Sequence, residues 1–81
     1  MWLNKRDENA ARAAGSAVTA AVVEPFAGKS DVEVVRLLEA NGASRVEVLA
    51  PGHISAEATV DAFDAVAHVA HVHVKARKSI R

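Results

Sequence analysis

Polar and apolar residues alternate in three stretches of the C-terminal half, Arg45-Val-Glu-Val-Leu-Ala50, His53-Ile-Ser-Ala-Glu-Ala58 and His71-Val-His-Val-Lys-Ala-Arg77. A repeat of two marks a strand with one face buried. It puts Val46, Val48, Ile54, Ala56, Ala58, Val72, Val74 and Ala76 on one side. Arg45, Glu47, His53, Ser55, Glu57, His71, His73, Lys75 and Arg77 fall on the other. The first side is core, and the second is solvated or a docking surface. Pro51-Gly52 breaks the pattern as a turn between the first two strands.

Upstream, Ala17-Val-Thr-Ala-Ala-Val-Val23 is a short apolar run between Gly15-Ser16 and Pro25, the pattern of a strand buried at the centre of a sheet. Ser30-Asp-Val-Glu33 has capping-box spacing, so a helix is predicted from Asp31. Val34, Leu37 and Leu38 repeat at i, i+3, i+4, and Asn41-Gly42 supplies a left-handed stop, which sets the helix at Asp31 to Asn41. Thr59 is placed to cap a second helix with Phe63, Val66, Ala67 and Ala70 on one side and Asp61, Asp64 and Ala65 on a solvated one. Asn4 can cap a short Ala-rich helix ending before Gly15. Residues 1–14 therefore read as a frayed helix or mobile arm, with Trp2 and Leu3 available for contacts.

The order β-α-β-β-α-β over residues 15–77 predicts an α+β fold, the ferredoxin-like split βαβ. Its four-stranded antiparallel sheet, in the order 4-1-3-2, carries two helices on one face. In that order the last strand is an edge strand, open to strand addition. It leads into a C-terminal basic tail at residues 78–81. A chain of 81 residues makes one domain that buries only about 60% of its unfolded surface, so its stability margin is thin.

Without cysteine there are no disulfides, thiolate metal sites or thiol nucleophiles. Ten basic residues balance ten acidic ones, so no overall field draws the chain to nucleic acid or to a membrane surface. Met-Trp-Leu followed by Asn4-Lys-Arg-Asp-Glu8 is not a signal peptide, and no run is long enough to span a bilayer. As written the chain is expected to be cytoplasmic; excised from a secreted precursor it would be extracellular.

Val23-Glu-Pro-Phe-Ala-Gly-Lys-Ser30 ends like a phosphate loop, but that motif needs Gly where Val23 stands and an acid for magnesium on a later strand. Ser, His and Asp occur without a nucleophile elbow. Acylphosphatase-like chemistry needs an Arg in the loop after the first strand, where this chain has Lys29. No catalytic residue and no cofactor is predicted, and the chain reads as a non-enzyme. Of the four histidines, His71 and His73 are spaced to chelate. The third candidate, His53, is expected across the central strand, too far for one ion, so no metal is predicted. Neutral imidazoles buried under a partner resist protonation, so binding through this face should weaken below about pH 6.5.

Asn41-Gly42-Ala43 before Val46, the phrase Gly52-His-Ile-Ser-Ala-Glu57, and Val60-Asp-Ala-Phe-Asp-Ala-Val-Ala67 before a valine-rich last strand carry a resemblance. Over about Ala17 to Arg77 the chain resembles the propeptides of subtilisin-like serine proteases and the small inhibitors built on the same domain. The resemblance implies a protease-docking protein. Its open sheet face would pack on two surface helices of the protease, and the residues after the last strand would lie in the active-site cleft like a product or slow substrate. The face would be Glu47, His53, Ser55, Glu57, His71 and His73, and the cleft-binding tail Lys78, Ser79, Ile80 and Arg81. Glu47 or Glu57 could cap a partner helix. The alternative is a self-associating regulatory or ligand-binding module, a homodimer that hides the same His-rich face.

Overall fold

The computed structural model describes residues 1–74. Along them run α1 (Lys5–Ala13), β1 (Thr19–Pro25), α2 (Asp31–Ala40), β2 (Ser44–Ala50), β3 (His53–Ala58), α3 (Val60–Val66) and β4 (Ala70–Val74). The strands form one antiparallel sheet in the order β2-β3-β1-β4, which read from the other edge is the predicted 4-1-3-2. Ala21, Val23, Ile54, Ala56, Ala58, Ala70 and Val72 from the strands share one core with Val34 and Leu38 of α2 and Ala62, Phe63 and Val66 of α3. Both helices thus cover the same face. Phe63, Leu38 and Ile54 are the largest fully buried side chains, each stabilising by about 1.5–3 kcal/mol. The rest of this core is Val and Ala, which makes it small.

The capping box forms as spaced: Ser30 Oγ accepts from the Glu33 N–H at 3.1 Å, and Glu33 Oε1 accepts from the Ser30 N–H at 3.1 Å. At the other end of α2, Asn41 Nδ2 donates to the Leu37 carbonyl at 2.8 Å, and Gly42 takes the left-handed turn at φ 89°. Thr59 does stand at the N-cap of α3, yet its side chain makes no capping hydrogen bond. That helix stops at Val66, so Ala70 belongs to β4 and not to a helical face.

Three expectations are corrected. The first strand begins at Thr19, runs to Pro25, and is buried only at Ala21 and Val23. Helices lie on one side only, so even a central strand has a single dry face, and Ala20, Val22 and Glu24 point to the other. Strand β2 keeps Glu47 opposite Ser55 and Val48 opposite Ile54, but its core side is less buried than expected. Its register against β3 shifts between Ser44 and Glu47 and again between Val48 and Ala50, with Arg45 at φ 51°. Extra residues of this kind bend an edge strand out of phase. Leu49 falls in the second shift and is 53% exposed, while Val48, opposite Ile54 and so on the core side, is still 48% exposed at the sheet edge.

The N-terminal arm is docked and not frayed. Asn4 Oδ1 accepts from the Asp7 N–H at 2.8 Å and starts α1. Trp2 bridges Val72 in parallel: Leu3 N–H donates to the Val72 carbonyl at 2.9 Å, and Val72 N–H donates to the Met1 carbonyl at 2.7 Å. The outer edge of β4 expected to be open is therefore occupied at Val72 by the chain itself. The predicted extension of the last strand, Lys75 to Arg77, and the tail Lys78 to Arg81 lie outside the described residues.

Candidate functional site

The face of the sheet opposite the helices collects the side chains that alternate away from the core. Cross-strand pairing sets Glu24 beside His71, Val22 between Ser55 and His73, Glu47 beside Ser55, and Glu57 between Ser44 and Ala20. All six face residues read from the sequence, Glu47, His53, Ser55, Glu57, His71 and His73, thus fall on one surface. Their proposed companions Lys78, Ser79, Ile80 and Arg81 lie beyond the described residues.

At the centre of this surface stands a residue the sequence reading missed. Glu24 Oε2 lies 3.3 Å from His73 Nε2 and 3.7 Å from His53 Nε2. Each contact becomes an ion pair only when the imidazole carries a proton. Glu24 was passed over because the apolar run stops at Val23 and Pro25 follows; continuing the alternation one step would have placed it on this face. Phe26 was missed for the same reason. Its ring meets the His71 imidazole edge-on at 4.7 Å, and His71 Nδ1 is buried with no hydrogen-bond partner among the described residues. Arg45 Nε lies 3.6 Å from Glu57 Oε1, an exposed pair of small energetic weight. Among the described residues this face carries the carboxylates of Glu24, Glu47 and Glu57 and the guanidinium of Arg45; Lys75 and Arg77, which the alternation assigns to the same face, lie outside the described residues. Among the described residues no group of three His, Asp or Glu side chains converges in a way that would hold a metal ion.

A second polar cluster lies along the β4 edge on the helix side. Asp64 Oδ1 accepts from Trp2 Nε1 at 3.0 Å and from Arg12 Nη2 at 3.1 Å, while Oδ2 accepts from Arg12 Nη1 at 3.0 Å. Glu8 Oε2 holds the other side of Arg12 at 2.7 Å. Burial pushes the Asp64 carboxyl up, but the hydrogen bonds from Arg12 and Trp2 outweigh it and leave the group below its ordinary value. The same contacts, to Asp64 first and then to Glu8, raise Arg12. Asp64 is therefore not the solvated helix residue its spacing suggested. The Met1 α-amino group donates to the carbonyls of Ala67 and Ala70, and burial lowers its proton affinity. Asp7 Oδ2 accepts the Val74 N–H at 3.1 Å, which closes the edge beyond Val72. His68, in the turn after α3, stands near enough to Asp64 to favour its charge. On the outer side of α2 an open groove of about 400 Å³ runs between Val32, Leu37 and Val69, flanked by Glu33 and Arg36.

Comparison with protein-family models, curated proteins and solved structures finds no match to this chain.

Proposed function

We propose that the chain is a protein-docking module, which binds a subtilisin-like serine protease through its open sheet face as a propeptide or propeptide-like inhibitor does. One observation supports this reading above the others: no other described segment covers the polar sheet face, because the arm docks along the β4 edge and against Phe63 and Asp64. Glu47, His53, Ser55, Glu57, His71 and His73 are left together on a surface rimmed by charge and centred on the half-buried Val22. Glu47 and Glu57 suit the N-termini of helices on a partner, where carboxylates are favoured. A standard interface of about 1,600 Å² would take up most of such a face. Binding would also stabilise a small core by mass action. In this reading Lys78-Ser-Ile-Arg81 enters the protease cleft, and Arg81 suits an enzyme that accepts basic residues at the cleavage position.

The test is inhibition of subtilisin and a small panel of related proteases by the full chain and by a chain lacking residues 78–81. The full chain should inhibit, and truncation should weaken inhibition more than tenfold while leaving the melting temperature unchanged. Inhibition that survives truncation would remove the tail's role. No inhibition, together with a stable dimer broken by Val22→Glu on the open face, would replace the protease reading with self-association.

A further inference from the structure

The seam between the N-terminal arm and the rest of the chain is built from contacts that another copy of the arm would supply equally well. Across it pass the two main-chain bonds to Val72, the Val74 N–H to Asp7, the Trp2 indole against Phe63 and Asp64, and the Arg12–Asp64 pair. The arm has no core of its own. Only Ala11 of α1 is buried, and a helix of nine residues is marginal in water without a surface to pack on. The arm joins β1 through residues 14–18, all exposed, with Gly15 at φ 62° and turn bonds from Gly15 N–H to the Arg12 carbonyl and from Ala17 N–H to the Ala14 carbonyl. Strand β1 is paired along both sides by β3 and β4, so the link connects a peripheral unit to a fixed one.

We infer that this link is a hinge, and that two copies of the chain exchange residues 1–13, each arm seating on the other copy's β4 edge in a closed twofold dimer. Exchange preserves every seam contact and sacrifices only the turns at residues 12–17. As concentration rises, the second copy's arm therefore competes with the chain's own by mass action. Arg12 on the arm and Asp64 on the body carry opposite charges, which fixes where the incoming arm sits. The exchanged arm does not cover the open sheet face in either form, so this inference does not depend on the protease reading.

The test uses two full-length variants, Arg12→Asp and Asp64→Arg. Each sets like charges across its own seam, so each alone should be a monomer with a loosened arm and red-shifted emission from Trp2, the chain's single tryptophan. Mixed in equal amounts, each arm meets an opposite charge only on the other chain. The expected result is a 1:1 heterodimer by light scattering, with Trp2 emission returned to the wild-type position. A mixture whose mass and emission remain the sum of the separate samples overturns the inference. Should circular dichroism show either variant unfolded, a full chain lacking Ser16 and Ala17 decides. A shortened hinge hinders return of the arm to its own body and invites exchange. That chain should be a dimer with Trp2 docked, and a monomer in either Trp2 environment overturns the proposal.

Discussion

Two carboxylates organise the two polar clusters of this molecule, and their partners set them apart. Asp64 is gripped by a guanidinium and an indole N–H, donors that stay donors at every ordinary pH. Glu24 faces two imidazoles, whose charge depends on the solution. The first cluster is closed: it fastens residues 1–13 to the body. The second is open and conditional, with His71 Nδ1 beside it unpartnered among the described residues. A polar cluster that completes itself serves folding, whereas one left incomplete on an uncovered face is available to a partner.

The sharpest way to break this contrast is Trp2→Ala. It removes the indole from Phe63 and from Asp64 together, and should cost about 2–3 kcal/mol in urea denaturation. A loss under about 0.5 kcal/mol would mean the arm is not part of the cooperative fold. On the open face, acidification from pH 8 to 5 should weaken protease binding about tenfold, since imidazoles buried under a partner resist protonation. Affinity that stays flat across this range would take the histidines out of the interface.

Next in size is Asp64→Asn, expected to cost about 1 kcal/mol at pH 7. Because the folded state holds Asp64 below its ordinary value, its stabilisation is complete above the unfolded carboxyl value near 4 and is lost as pH falls through the lower folded value. The stability gap between wild type and Asp64→Asn should therefore close in strong acid; a gap that persists there would show a cause other than charge. The smallest effect on folding belongs to Glu24→Gln, within about 0.5 kcal/mol at pH 7.5, while the same substitution shifts protease affinity. A large loss of stability from Glu24→Gln would make the two clusters alike and end the comparison.

The two sheet edges repeat the lesson in backbone terms. Both sides of the sheet would template aggregation if left bare. Strand β2 is protected within itself, by two register shifts and by Arg45. Strand β4 is protected by a segment some 70 residues away in sequence, the arm at Met1 to Leu3. Neither protection is visible as a periodic pattern. Alternation places Val46 and Val48 on the core side with equal right, and pairing opposite Ile54 keeps Val48 there; only the tertiary structure shows that Val48 is left 48% exposed at the sheet edge.

What the amino-acid sequence determined by itself is the part that local physics dictates. The alternation of β3 and β4, the reciprocal cap at Ser30 and Glu33, and the Asn41-Gly42 stop sit within a few residues of one another. They suffice for the order of elements and, with the handedness of βαβ connections, for the sheet order. The tertiary structure alone decided where the arm lies, that Asp64 is bound and not solvated, and that Glu24 stands between His53 and His73. Those outcomes depend on contacts between residues 29 to 71 positions apart. No local spacing encodes such a contact, because its free energy exists only once the sheet has brought the distant segments together.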